Sequence, residues 1–269
     1  MQSNKAMLAV CWSTIVIATY LGLAGVSGEK IIDGEVAKPH SRPYMAYLSI
    51  KRGNNFSSCG GFIIHPSFIL TAAHCSGENI TVLLGAHNIL KREPSWQKIP
   101  VQKIIIHEKY NRMTHENDIM LLKLQHQAMR TSEIQPIKIP VKGVDVCPNT
   151  RCTVAGWGST KTNGMGSHVL REVEVKVQDV YDCKAARNSN LTAFAICARG
   201  TGIKGTCNGD SGGPLVCPIN GARPEAVGIV SFRLSNYKQC EDPERNNVYV
   251  KVSAYWNWIK KNIRVNSLV

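Results

Sequence analysis

Acidic side chains are scarce in this chain of 269 residues: 19 Asp and Glu stand against 32 Lys and Arg, a formal net charge of +13. The surplus favours polyanionic partners such as glycosaminoglycans or anionic cell surfaces. A solvated basic surface would show the same surplus. One basic cluster is Lys91, Arg92, Lys98, Lys103, Lys109 and Arg112; the other is Lys260, Lys261 and Arg264. Neither carries the aromatic interleaving of a single-strand nucleic-acid groove, so no specific nucleic acid is expected. After residue 23 no apolar run approaches the roughly 20 residues of a membrane helix, so no such helix is expected beyond that point. Histidine is missing from the C-terminal part, for all eight lie at or before His168.

That last absence bears on Cys207-Asn208-Gly209-Asp210-Ser211-Gly212-Gly213-Pro214. A serine flanked by glycines suits a tight turn better than a helix or strand interior. The N–H groups of Gly209 and Ser211 can there point at one spot, as acyl transfer requires for the oxyanion of a tetrahedral intermediate. Such a donor stabilises the transition state by about 2.7–4 kcal/mol. Taken alone, a Gly-rich surface turn would read the same way. The nucleophile elbow of α/β-hydrolases needs the order serine, acid, histidine. With no histidine after Ser211, that order is excluded. The base must come from upstream, in the order histidine, aspartate, serine.

Residues 1–28 read as a secretory signal: Lys5 at the start, an apolar run from Met7 to Leu23, then small residues Val26-Ser27-Gly28; the alternative, an uncleaved membrane anchor, is weakened by Ser13, Thr14 and Thr19 and by the lack of a basic stop after the run. Ten cysteines then read as a disulfide framework made in an oxidising compartment. Cys11 leaves with the signal, so the remaining nine cannot all pair within the chain. The reading is a secreted, extracellular or granule-stored protein.

Glu29-Lys30 precedes Ile31-Ile32-Asp33-Gly34. A cut after Lys30 would free an α-amino group that could be carried inside by an apolar residue. A buried charge needs a partner, and Asp210 is the natural one. Alternatively, Ile31 simply begins a strand. Phe68 to Cys75 is an apolar run ending in small residues, which sets His74 where a buried strand gives way to a turn. His40, His65, His87, His107, His115, His126 and His168 lie in polar or loop-like stretches and read as surface. Asp118 stands at the mouth of the apolar strand Ile119 to Leu124. There it is either a strand cap or the carboxylate that holds an imidazole in one tautomer. Many short strands punctuated by Gly and Pro predict an all-β barrel architecture. Val252, Tyr255, Trp256, Ile259 and Ile263 recur at helical spacing and predict a C-terminal amphipathic helix.

Ile31-Ile32-Asp33-Gly34, Thr71-Ala72-Ala73-His74-Cys75, Asp118-Ile119-Met120-Leu121-Leu122, Gly156-Trp157-Gly158 and Gly209 to Pro214 together resemble the chymotrypsin-like (trypsin-fold) serine proteases, from Ile31 to about Ile263. Pro39 to Met45 and the Glu29-Lys30 dipeptide resemble the granzyme and mast-cell protease group, nearest granzyme A or K. The resemblance implies two six-stranded antiparallel β-barrels with a C-terminal helix: halves at about 31–139 and 140–252 within a peptidase domain 31–269, after the 29–30 activation dipeptide. It implies His74 as base, Asp118 as its orienter, Ser211 as nucleophile, and Gly209 and Ser211 as oxyanion donors. It implies an ion pair of the Ile31 amine with Asp210, formed when another peptidase activates the precursor. It implies disulfides Cys59–Cys75, Cys152–Cys217, Cys183–Cys197 and Cys207–Cys240. Cys147 is left over, and an interchain bridge to a second copy and a free thiol both fit it.

Relatives that cut after basic residues carry Asp six residues before the nucleophile; here that position is Gly205. Ser231-Phe232-Arg233 stands where relatives often show Ser-Trp-Gly, and Asn247 where many have Gly. Arg233 and Asn247 are expected to shorten the pocket or favour an acidic residue. The expected substrates are peptides or proteins cut after a non-basic residue. Only Glu93 is acidic between Gly85 and His107, where calcium-binding relatives pair carboxylates, so no metal and no cofactor are expected. Asn55, Asn79 and Asn190 open glycosylation sequons. The rival reading is a catalytically weak or inactive homologue that binds heparin or microbes. Such homologues typically lose a triad member, and none is lost here.

Overall fold

The computed structural model describes residues 31–179, 194–219, 223–233, 239–243 and 246–267. Two closed antiparallel barrels account for most of them, as the resemblance implied. The first is built from β2 (Met45–Arg52), β3 (Asn55–His65), β4 (Phe68–Thr71), β5 (Asn79–Leu84), β6 (Gln97–Ile106) and β7 (Met120–Leu124), closing in the order β2-β3-β4-β7-β6-β5. The β2–β3 hairpin turns at Gly53, whose φ of +57° suits a residue without Cβ. Inside lie Leu48, Phe62, Phe68, Leu70 and Val82, all fully buried.

The second barrel uses β8 (Arg151–Gly156), β9 (Arg171–Val177), β10 (Ala195–Arg199), β11 (Pro214–Cys217), β12 (Glu225–Arg233) and β13 (Asn247–Lys251). They run β9-β10-β13-β12-β11-β8, and β8 closes onto β9. The short β1 (Glu35–Val36) adds to β9 from outside. Alternation is clearest in β9, where Arg171, Val173, Val175 and Val177 are buried and the residues between them are not. Val154, Val173, Leu215, Val227 and Tyr249 fill this interior.

Helix α1 (Trp256–Ser267) follows β13 but packs back on the first barrel, adding Tyr255 from the preceding turn and Ile259 to that core. Trp258 Nε1 donates to Glu108 Oε2 at 2.9 Å and Lys103 Nζ to Asn266 Oδ1 at 2.8 Å. The C-terminus therefore straps the second barrel to the first. Among the described residues no helix is long and apolar enough to cross a membrane.

Candidate active site

His74 leaves β4 in a single 3₁₀ turn, Ala73–Cys75. Ala72 and Ala73 are fully buried, and the Cys59–Cys75 disulfide pins the turn to β3. Arg52, a residue that no sequence motif singled out, adds a second tie: Nη2 donates to the His74 carbonyl and Nε to that of Ser76, both at 2.8 Å. Asp118 reaches the same point from just before β7. Its Oδ1 accepts the His74 backbone N–H at 2.9 Å, and its Oδ2 lies 2.7 Å from His74 Nδ1. The Ser231 hydroxyl, from β12 of the other barrel, also donates to Oδ2.

Asp118 is fully buried. An isolated carboxylate there would be costly, so its donors decide its state. Burial pushes its pKa up. The hydrogen bonds and charge of His74, then the Ser231 hydroxyl, together outweigh burial and hold it below the usual carboxylate value of 3.8. An ionised carboxylate only accepts, so Nδ1 carries the imidazole proton and Nε2 keeps its lone pair. A group depressed in the folded state stabilises the fold above its unfolded pKa, and that contribution is lost as pH falls through the lower folded value. Urea midpoints should therefore fall as pH drops below about 3.8, the ordinary value for this group. Ser231→Ala should make this loss smaller; an unchanged acid profile would deny the hydroxyl its effect on Asp118.

Ser211 arrives from the second barrel. Its carbonyl accepts the Gly60 N–H at 2.7 Å and lies 3.7 Å from Cys75 Sγ, beside the turn that carries His74. The surrounding loop is held by Gly212 N–H to the Val230 carbonyl at 2.8 Å and Gly213 N–H to the Asp210 carbonyl at 3.0 Å. A Cβ on Gly212, at φ +80°, would sit 2.1 Å from Thr71 Oγ1, so only glycine fits against the first barrel. Among the described residues, the Ser211 hydroxyl and the N–H groups of Gly209 and Ser211 donate no hydrogen bond. They are thus uncommitted at the junction of the barrels. Catalytic contacts in unliganded sites often tighten only with substrate.

The arrangement is that of a known family. The family model described as Trypsin matches residues 31–259. The chain belongs to the trypsin family. It is 43% identical to Granzyme B of Homo sapiens over 252 residues, covering 93% of this chain and 98% of that protein. It is 47% identical to Granzyme B of Rattus norvegicus over 238 residues, 87% and 92% of the two chains. A solved structure described as "Structure of GrC" superposes with a TM-score of 0.78 at 40% identity, covering 87% of this chain and all of that one. This trypsin-family protein is a granzyme-like serine endopeptidase that acts on peptide or protein substrates. The finer expectation of nearness to granzyme A or K is not shown by these matches.

Asp210 is as buried as Asp118. Its Oδ1 accepts the Gly158 N–H and its Oδ2 the Cys207 N–H, each at 2.9 Å. A Cβ on Gly158 would meet its carboxyl carbon at 2.4 Å, which accounts for glycine there. Ile31 is fully buried in the second barrel's core, and Ile32 bridges Gly205 and packs on the Cys207–Cys240 disulfide. Ile31 has φ +28°, an outlier for a β-branched residue. In the uncut chain its nitrogen is an amide and carries no charge.

Around the expected pocket, the Thr206 hydroxyl donates to Asn247 Oδ1 at 3.0 Å. Asn247 is 1% exposed, and its Nδ2 has no acceptor among the described residues. Ser231, expected only as a pocket residue, gives its hydroxyl to Asp118. Phe232 lies stacked on His115, with centroids 5.5 Å apart. Arg233 pairs with Asn247 through the backbone, and its side chain lies outside what is described.

His115 departs from the surface reading. Its Nδ1 lies 3.9 Å from Asp118 Oδ2, and its ring meets that of His74 edge-on at 5.7 Å. Its φ of +56° turns it inward from a loop whose flanks gave no such signal. His107 is half-buried against Tyr255 and Trp258. Disulfides Cys59–Cys75, Cys152–Cys217 and Cys207–Cys240 are present, and Cys147 is exposed and free. Cys183, and with it the expected pairing to Cys197, lies outside the described residues, as does Asn190. Asn55 and Asn79 are exposed. Glu93 accepts the N–H groups of His87 and Asn88, both at 2.9 Å, and so shapes the loop itself.

Proposed function

We propose that this granzyme-like endopeptidase is secreted or granule-stored, is made as a precursor, and cuts peptides after a non-basic residue through an acyl-enzyme. The observation that carries the mechanism is the buried Asp118 carboxylate 2.7 Å from His74 Nδ1, in a turn tied to the Ser211 loop. Ser211 Oγ attacks the substrate carbonyl carbon while its proton passes to His74 Nε2. The oxyanion that forms accepts from the Gly209 and Ser211 N–H groups. The imidazolium then protonates the departing amine, leaving the acyl group on Ser211. Water attacks this ester, giving its proton to His74, and the acid product leaves as Ser211 regains its own.

Cutting the Lys30–Ile31 bond would turn the Ile31 amide into an ammonium already in the barrel that holds Asp210. The left-handed φ of Ile31 supports this, since the cut removes the constraint that defines that torsion. The net charge of +13 supports retention on glycosaminoglycans.

At the pocket, Gly205 supplies no carboxylate, so a buried substrate cation would stay unpaired. The free Asn247 Nδ2 is instead a buried donor, and an unsatisfied one costs about 1–3 kcal/mol. A side chain with an acceptor oxygen, as in Asp or Asn, removes that cost. Peptides differing only at the residue before the cut, offered to the activated protein, should show kcat/KM at least about tenfold higher for these than for Lys or Arg. Fastest turnover after Lys or Arg would sink the assignment.

A further inference from the structure

We propose that His115 and His74, with Asp118, form an inhibitory site for a divalent transition metal ion of the zinc type. One ligand atom from each of the three lies within 4.8 Å of the other two. Two imidazoles and a carboxylate are a donor set that suits zinc, copper or nickel rather than calcium or magnesium. Among the described residues the other grouping of this kind, Cys59, His74 and Cys75, offers no thiolates, because its two sulfurs are joined in a disulfide.

His115 is built toward this point. Asn111 Oδ1 accepts the N–H groups of Met113 and Thr114, at 2.9 and 3.3 Å. On the other side Asn117 Nδ2 donates to the Lys109 carbonyl at 2.9 Å, and Tyr255 OH donates to Asn117 Oδ1 at 3.1 Å. Phe232 backs the ring. The His115 Nδ1 is buried and makes no hydrogen bond, so it is a nitrogen without a structural task. The side chains of His74 and His115 remain 22% and 35% exposed, so ions can reach them from solvent.

His115 Nδ1 stands 3.9 Å from Asp118 Oδ2, farther than two ligand atoms about 2.0–2.1 Å from one tetrahedral ion stand from each other. Closing the site therefore needs rotation of the partly exposed His115 imidazole toward Asp118. If the ion takes His74 Nε2, it occupies the lone pair that accepts the serine proton. If it takes Nδ1, that proton is lost to solvent and the bond to Asp118 is broken. Peptidase activity stops either way. The inhibitory effect rests on His74 being the base; the binding does not.

Calorimetry of zinc chloride against the processed Ser211→Ala protein at neutral pH reads binding without turnover. One ion per chain is expected, weakened by Ser211→Ala/His115→Asn at least about as much as loss of an outer-shell partner weakens metal sites, 10–100-fold. Asparagine is chosen because it tolerates the left-handed backbone of position 115. In the active protein, zinc should inhibit peptide hydrolysis, EDTA should restore it, and His115→Asn should raise the inhibitory concentration by a similar factor. Each protein is read against its own metal-free rate. His126→Asn, at an exposed histidine past the far end of β7 from Asp118, should leave the response unchanged. Absence of binding in calorimetry, or equal zinc response in His115→Asn and the parent, overturns the site. Binding that depends on His115 without loss of turnover would keep the site and remove His74 from the role of base.

Discussion

Replacing Ser211 by alanine should lower kcat for peptide hydrolysis by on the order of 10⁶-fold and leave the melting temperature nearly unchanged. The two halves of this expectation have separate grounds. The Ser211 hydroxyl makes no hydrogen bond among the described residues, so its loss costs the fold little. The contacts that hold the loop are backbone contacts: the Ser211 carbonyl to Gly60 N–H, Gly212 N–H to Val230, and Gly213 N–H to Asp210. Alanine keeps all of them. It removes only the atom that would attack the carbonyl. Residual hydrolysis would reflect the oxyanion donors and substrate binding alone. A loss of less than about tenfold would mean that another group performs the chemistry; a large fall in melting temperature would mean that the hydroxyl has a structural partner.

Asp118→Asn should lower kcat by about 10⁴-fold, a magnitude carried over from the aspartate of the trypsin-family triad. The physical reason is legible in the contacts. Asp118 accepts three donors: the His74 backbone N–H, the His74 ring and the Ser231 hydroxyl. Asparagine keeps one acceptor oxygen and brings an NH₂. If the amide oxygen faces the His74 backbone N–H, the NH₂ faces the ring and forces Nδ1 to accept. The imidazole proton then sits on Nε2, and no lone pair remains for the serine proton. The loss should be smaller when assayed at high pH, where hydroxide can replace the blocked base. A variant as fast as the parent at neutral pH would show that Asp118 does not set the tautomer.

Much of this site could be read in the chain because each part sits in a short local motif. His74 ends an apolar strand, Asp118 opens one, and Ser211 lies in a glycine turn whose neighbours tolerate no side chain. An all-β barrel architecture followed from many short strands broken by Gly and Pro, its division into two barrels only from the resemblance to the trypsin-fold proteases, and the terminal helix from the spacing of Tyr255, Ile259 and Ile263. What escaped was decided by side-chain direction across long separations. Ser231 meets Asp118 from 113 residues away. Tyr255 meets Asn117 from 138. His115 reads as a surface residue because it lies in the polar stretch from Asn111 to Asn117; its left-handed backbone turns it to Asp118. Asn247 could be placed near the pocket, but not its unpaired amide, since satisfaction of a buried donor depends on every neighbour. Nothing in the residues around Arg52 marks it, although its guanidinium donates to the His74 carbonyl.

The most direct measurement is the mass of the activated protein after treatment with a fluorophosphonate, followed by mapping of the labelled peptide. The account requires a single adduct on Ser211, absent when His74 is replaced by alanine. An unlabelled protein, or an adduct on another residue with Ser211 untouched, would contradict it.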